Sequence, residues 1–213
     1  MDPIAARRLE EKERRRSDLL DAAERVAAAA GVEGLTMDLV AREARVSRGL
    51  VYVYFKDLQD LAAGICERAL HALHARFVAL EADHPRGLER VIAMGRAYVA
   101  FAAECPLQFG ILARFEATDA SANSGSNHSA ALAAGAEVHA VIIAALEAGM
   151  ADGSVSPAAG SPGTVALSLW AMTHGTIQVA SMKRAVLAQH GVTPAALVEQ
   201  TLRMATIALL RGD

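Results

Sequence analysis

Apolar residues recur every three or four positions along most of the chain, and this spacing predicts helices rather than strands. In residues 17–30, for example, Leu20, Ala23 and Ala27 fall on one side of a helix. Alanine is abundant, and alternating β-branched runs that would indicate strands do not occur. We therefore expect an all-α fold of about nine helices. Their predicted ranges are 17–30, 36–44, 47–55, 57–82, 88–104, 106–115, 130–150, 162–189 and 193–210.

Capping residues and breakers support several of these boundaries. Ser161-Pro162 and Thr193-Pro194 each place a cap residue before a proline, which is typical of a helix start. Asp57 is the cap candidate of the fourth helix. Residues 117–129 and 153–160 are rich in small and polar residues, so they are predicted to be loops.

Two short predicted helices within residues 36–55 are separated by a tight turn. Thr36 can cap the first helix and Ser47 can cap the second. Helices this short are not stable alone, because the free-energy cost of nucleating a helix exceeds the stabilisation from the few hydrogen bonds that follow. They must therefore pack on other helices, and a helix-turn-helix unit does so while its second helix stays exposed.

The predicted outer side of the second helix carries Arg48, Gly49, Tyr52 and Tyr54. Arginine can bind phosphates or a guanine edge, tyrosine hydroxyls can bind phosphate oxygens, and glycine allows a close backbone approach. These residue types suit a surface that binds DNA. The alternative is that the two tyrosines are half-buried packing residues.

Residues 15–65 resemble the N-terminal domain of the tetracycline-repressor (TetR) family of bacterial transcriptional regulators. The resemblance rests on Gly31-Val-Glu-Gly-Leu-Thr36, then Val40, Ala41, Glu43, Ala44, Val46, Ser47, Gly49, Tyr52, Phe55, Lys56, Asp60 and Leu61. Two positions depart from the family pattern: Arg45 stands where glycine is usual in the turn, and Leu58 stands where lysine is frequent. A left-handed conformation at Arg45 would cost roughly 1 kcal/mol, so either the turn is adjusted or the strain is tolerated.

The resemblance implies a ligand-responsive transcriptional repressor that binds operator DNA as a homodimer, is released by its effector and is not an enzyme. A three-helix DNA-binding domain would occupy residues 1–60, and a helical effector-binding and dimerisation domain residues 61–213. By resemblance, Thr36, Tyr52, Tyr54 and Lys56 would bind phosphates. Ser47, Arg48, Gly49 and Leu50 would face the groove, and Arg45 would be an additional phosphate contact.

The last two predicted helices are apolar on more than one side, with small residues interspersed. Such helices need two partners, and a second copy of the chain can be one of them in a four-helix bundle. The sequence Trp170-Ala-Met-Thr-His-Gly175 also resembles the dimerising region of the family.

An aromatic region between residues 94 and 115 is either plain core or the lining of a cavity for a small hydrophobic effector. The candidate effector-binding residues are Met94, Tyr98, Phe101, Phe109 and Phe115, with Trp170 and His174 from a later helix. His174 is also consistent with an ordinary hydrogen-bonded core histidine.

Charge does not by itself indicate a nucleic-acid-binding protein, because the net charge of the 213-residue chain is −3. Residues 1–60 carry eleven Lys or Arg against twelve Asp or Glu, so any DNA-binding surface must gather cations onto one face. Residues 4–16 form a mixed-charge arm, either a solvated helix with Glu–Arg pairs or an arm along DNA.

Other features favour a cytoplasmic protein without a cofactor. The N-terminus lacks an apolar signal core, no apolar run of ~20 residues predicts a membrane helix, and two cysteines show no metal-binding spacing. An alternative, a metal-dependent enzyme, would use Glu67, His71 and His74 on one helix face, but no metal-binding motif accompanies them. A helical interaction module without DNA binding is a further alternative.

Overall fold

The computed structural model describes residues 3–115 and 126–210, and this part of the chain is all-α, as predicted. It contains ten α-helices and two 3-10 turns, at Val32–Gly34 and Pro157–Ala159. The α-helices are α1 Pro3–Ala30, α2 Met37–Glu43, α3 Arg48–Tyr54, α4 Leu58–Ala79, α5 Gly87–Glu104, α6 Pro106–Leu112, α7 Ser126–Ala151, α8 Pro162–Met182, α9 Arg184–Gln189 and α10 Pro194–Leu210.

The structure has one α-helix more than the nine predicted, because the predicted helix 162–189 is divided into α8 and α9. The interruption is at Lys183, where φ is −113° and ψ is 34°. Two residues earlier, the Ser181 hydroxyl donates to the carbonyls of Ile177 and Gln178. Such back-bonding competes with the regular helix ladder and bends helices. The break therefore has a local cause that periodicity alone does not reveal.

The bounds of α1 and α7 also differ from the prediction. The charged arm is part of α1, which is continuous from Pro3, and α7 begins at Ser126 rather than residue 130. The predicted loop at 117–129 is therefore helical in its last four residues, and its remainder lies outside the described residues.

The chain divides into two compact units. The first contains α1, α2, α3 and α4 as far as Leu70, together with the segment Cys105–Gly135. Its core is built from side chains that are fully buried, including Leu19, Leu20, Val40, Val51, Phe55, Leu61 and Ile65. Each compact unit is assembled from two separate stretches of chain. This division by compactness does not test the functional boundary at residue 60, which stays a prediction.

The second unit contains His71–Glu104 and the chain from Ala136 onwards. Within it α5 begins directly against α7: a Cβ on Gly87 would lie 2.1 Å from the backbone nitrogen of Gly149. The first amides of α5 donate to the loop that follows α7, Gly87 N to Asp152 Oδ2 at 2.9 Å and Leu88 N to Ser154 Oγ at 3.1 Å. These contacts fix α5 on α7, and the two helices share a cavity described below.

The segment Asn127–Ala151 is long and apolar enough to cross a membrane by length and composition, which the sequence reading did not expect. A core helix of a water-soluble protein passes the same test. Val138, Ala145 and Leu146 of this helix are buried within the protein, and Glu137 and Glu147 interrupt its apolar sequence. One helix of this kind is weak evidence for a membrane span.

Candidate nucleic-acid interface and cavity

Helices α2 and α3 begin at the two predicted caps. The Thr36 hydroxyl accepts a hydrogen bond from the Leu39 amide, and the Ser47 hydroxyl accepts one from the Leu50 amide, both at 3.3 Å. Val51 and Phe55 are fully buried and anchor α3 in the core of the first unit. The opposite side of α3 is consequently exposed.

The turn between these helices contains Arg45 at φ 57°, the one described non-glycine residue with positive φ. The Arg45 amide donates to the carbonyl of Arg42 at 3.1 Å, and the Val46 amide donates to that of Ala41 at 2.9 Å. These two bonds form a Schellman motif, in which glycine normally occupies the left-handed position. The strain of roughly 1 kcal/mol is therefore present and is tolerated.

The exposed face of α3 consists of Arg48, Gly49, Tyr52 and Val53. Gly49 has open space where a Cβ would be, so the packing of the chain itself does not require glycine there. Val53 is 73% exposed, although valine is usually buried. Sequence analysis missed Val53, and its only signal was its position one helical turn after Gly49.

Arg48 is held by two neighbours on this surface. Its Nε lies 3.2 Å from Asp38 Oδ1, and its Nη2 donates to the Tyr52 hydroxyl at 3.1 Å. The guanidinium also lies 5.4 Å from the centre of the Tyr52 ring. Asp38 and Tyr52 together orient the cation across the outer face of α3.

The structure places the other predicted DNA-binding residues around this face. Thr36, Arg45, Ser47 and Lys56 are exposed, whereas Leu50 and Tyr54 are half-buried. Tyr54 packs in part against the core of the first unit, as the alternative reading of the tyrosines proposed. The roles assigned to individual residues stay predictions.

Three exposed arginines lie in and around the turn, together with two exposed carboxylates, one of which pairs with Arg48. Arg42, Arg45 and Arg48 are all exposed in and around the turn. Two cations of the N-terminal arm pair with a carboxylate of the same helix: Arg14 lies 2.8 Å and Arg15 3.5 Å from the carboxylate of Glu11. These are the Glu–Arg pairs expected of a solvated helix.

A cavity of about 370 Å³ lies in the second unit, between α4, α5 and α7. Its lining residues are His74, Phe77, Val78, Glu81, Arg90, Met94, Glu137, Ala140, Val141, Ala144 and Ala145. Arg90 bonds to Glu81 Oε1 at 3.1 Å, but its buried Nε has no partner within the described residues. The cavity is thus largely apolar with a few charged groups, and its volume suits a small organic molecule.

Only one predicted effector-binding residue, Met94, is among those that line this cavity. Tyr98, Trp170 and His174 form a separate cluster in the second unit, where the Tyr98 hydroxyl lies 2.7 Å from His174 Nδ1. Burial raises the pKa of Tyr98 to about 12 and lowers the pKa of His174.

The remaining predicted aromatic residues lie elsewhere. The ring of Phe101 is covered by the guanidinium of Arg76 at 5.6 Å. Phe109 and Phe115 belong to the first unit and do not line the cavity of the second. The structure therefore separates residues that the sequence reading grouped together.

The metal-site alternative receives no support from the arrangement of its residues. Glu67 forms an ion pair with Arg16, and His74 lines the cavity. Among the described residues, no group of three or more His, Cys, Asp or Glu side chains is placed to hold a metal ion.

Comparisons with known proteins match both parts of the chain. Residues 19–65 match the model of bacterial regulatory proteins of the tetR family, and residues 91–205 match a tetracyclin repressor-like C-terminal domain. No curated protein sequence matches the chain.

Solved structures share the fold over nearly the whole length. A bacterial regulatory protein of the tetR family from Rhodococcus RHA1 is 19% identical, with a TM-score of 0.66 over 93% of this chain and 98% of that one. FadR from Bacillus subtilis, in complex with stearoyl-CoA, is 14% identical, with a TM-score of 0.65 over 90% and 98%. AibR, in complex with isovaleryl coenzyme A and operator DNA, is 15% identical, with a TM-score of 0.61 over 89% and 97%.

The helix-turn-helix head and the helical C-terminal region together define a DNA-binding transcriptional regulator. The chain belongs to the TetR family.

Proposed function

We propose that the protein is a cytoplasmic homodimeric repressor that binds operator DNA through α3 and releases it when a small hydrophobic effector binds. The observation that carries the proposal is the outer face of α3, where Gly49 is open to solvent between the exposed side chains of Arg48 and Val53. A partner that approaches the backbone closely explains a glycine that internal packing does not require.

Each exposed group has a role in this proposal. Thr36, Tyr52, Tyr54 and Lys56 bind phosphates, which sets the position of the head on the duplex. Ser47, Arg48, Gly49 and Leu50 face the major groove, with Arg45 as an additional phosphate contact. We add Val53, whose exposed methyl groups suit contact with a thymine methyl group.

Dimerisation is supported by the apolar surface of the last helices. Large apolar side chains are exposed along α8, α9 and α10: Leu167, Trp170, Met172, Val179, Met182, Val186, Met204, Ile207 and Leu210. An apolar surface of this extent is characteristic of a protein–protein interface. A two-fold dimer would present two copies of α3 to half-sites about 34 Å apart.

The cavity between α4, α5 and α7 is the proposed effector site, with Met94, Phe77 and Val141 as its apolar lining. FadR and AibR were solved with acyl-coenzyme A compounds, so an acyl-CoA is one class of effector to test. Release requires that the effector bind the DNA-free state more tightly than the DNA-bound state.

The decisive experiment selects bound sequences from random duplex DNA and then tests release from the selected duplex at fixed salt. Stearoyl-CoA, isovaleryl-CoA and a panel of hydrophobic aromatic compounds serve as candidate effectors. A Val141→Trp variant fills the cavity and should keep DNA binding while it loses release. Leu9→Trp, at an exposed leucine of α1 that lies outside both the cavity and the apolar surface of the last helices, is the control. Failure to enrich any sequence would refute operator binding.

A further inference from the structure

Asn127, the second residue of α7, lies buried against the end of the helix-turn-helix and is 5% exposed. Its Oδ1 accepts hydrogen bonds from Arg16 Nε at 3.0 Å and from Arg16 Nη2 at 2.6 Å. Its Nδ2 donates to Asp60 Oδ2 at 3.0 Å and to the Tyr54 carbonyl oxygen at 3.4 Å. Both ends of one amide are therefore occupied, and they join α1, α3, α4 and α7 within the first unit.

The buried carboxylate of Asp60 depends on Asn127 for one of its hydrogen-bond donors. Asp60 is 6% exposed, and its Oδ2 also accepts from the Lys56 amide at 3.0 Å. The other oxygen, Oδ1, is buried without a hydrogen-bond partner in the described part of the chain. A buried carboxylate needs the donors it has, so loss of the Asn127 amide would leave Asp60 poorly solvated.

Arg16 completes the network from the opposite side. Its guanidinium pairs with Glu67 and lies 5.9 Å from the centre of the Phe55 ring. Arg16 is thus an internal cation of the first unit, rather than one that lies along DNA. Asn127 orients it through two hydrogen bonds to a single oxygen.

The network holds the backbone that carries two candidate phosphate contacts. Asn127 bonds to the carbonyl of Tyr54, and Asp60 accepts from the amide of Lys56. We propose that Asn127 is a positioning residue for DNA binding, which fixes the end of α3 against the start of α4 and so places Tyr54 and Lys56. This inference rests on the proposed function for the roles of Tyr54 and Lys56.

The test measures affinity for a duplex selected from a random pool by the wild-type protein, at fixed salt and well below the melting temperature. Asn127→Ala should bind roughly five- to tenfold more weakly, which corresponds to the loss of one or two hydrogen bonds. Circular dichroism checks that the variant is folded. Ser129→Ala, at an exposed site in the same turn of α7, should bind as tightly as the wild type.

A reciprocal exchange separates positioning from general stability. Asn127→Asp alone sets two carboxylates against each other and should bind at least as weakly as Asn127→Ala. Addition of Asp60→Asn removes the repulsion between the two carboxylates: the amide oxygen of Asn at 60 can still accept from the Lys56 amide, and Asp at 127 can still accept from Arg16. The double variant should therefore bind more tightly than Asn127→Asp, although less tightly than the wild type, because the donor to the Tyr54 carbonyl is still missing.

A double-mutant cycle provides the second readout. If Asn127 acts through Lys56, the losses in Asn127→Ala and Lys56→Ala should be less than additive. Three results would overturn the inference: wild-type affinity in folded Asn127→Ala, full additivity with Lys56→Ala, or a folded exchange variant that binds no better than Asn127→Asp. A wild-type protein that selects no duplex would instead refute the proposed function itself.

Discussion

The guanidinium of Arg48 donates to the hydroxyl of Tyr52 at 3.1 Å, one turn later on the same exposed face of α3. Asp38, at the start of α2, holds the other side of the same guanidinium. The free protein therefore holds the guanidinium of Arg48 in one place on this face. Arginine and tyrosine have different roles at such a surface, and substitutions can separate them.

Arg48→Ala should weaken binding to the selected duplex and relax base preference, with a loss of about 1–3 kcal/mol if Arg48 contacts a base edge. Tyr52→Phe should weaken binding with a smaller loss of selectivity, because a phosphate contact carries no sequence information. A shift assay with matched and mismatched duplexes measures both effects. Arg96→Ala removes an exposed arginine from α5 and is the control. Unchanged affinity in both head variants would exclude this face as the DNA contact.

Arg45 allows backbone strain to be separated from charge, because glycine and alanine both remove the cation. Arg45→Gly should be more stable than Arg45→Ala by roughly 1 kcal/mol, since only glycine adopts φ 57° without strain. Denaturant unfolding measures this difference. Both variants should lower the salt dependence of DNA binding by about one phosphate contact. Equal stability of the two variants would mean that the turn is not strained.

Light scattering should give about twice the chain mass of 22.3 kDa at micromolar concentration. Met204→Glu, on the exposed apolar surface of α10, should shift the protein towards monomer and weaken operator binding, because a buried charge is costly at an interface. Leu9→Glu places the same charge at an equally exposed leucine of α1 and should leave the mass unchanged. A wild-type monomer would be incompatible with the proposed four-helix bundle.

Burial lowers the pKa of both His139 and His174 from the ordinary value of 6.5. The unfolded chain therefore binds more protons than the folded protein just below that pH, so stability should be present at pH 7 and decline as pH falls through about 6.5. Denaturant unfolding between pH 7.5 and about pH 5 tests the direction. A variant with both histidines replaced by glutamine should show a shallower decline. A stability that rises on acidification over this range would contradict the assignment.

Local sequence was sufficient for the helices and for most of the head. Thr36 and Ser47 cap α2 and α3 as predicted, because a cap depends on residues only three positions away. The family pattern marked Arg45 as the unusual residue of the turn, and the structure shows that it takes the left-handed conformation there rather than an adjusted one. The break at Lys183 was missed, since periodicity does not record the backbone contacts of the Ser181 hydroxyl.

The sequence did not predict correctly which of the aromatic and neighbouring residues lie together in space. Met94 lines the cavity, Tyr98 bonds to His174, and Phe109 belongs to the other compact unit. Residues close in sequence can face different helices, because α5 and α6 are separated by a sharp turn at Cys105 and Pro106. Asn127 was not singled out at all, since it stands in a polar stretch that resembles a loop.

The sequence by itself determined the fold class, the helix-turn-helix and the family, because these depend on periodicity, caps and an ordered set of residue types within a short span. Only the tertiary structure decided that Asn127 meets Asp60 and that Arg16 is an internal cation. These contacts join residues 67 and 111 positions apart. Pairings over such separations follow from how helices pack, and a pattern of apolar positions does not specify them.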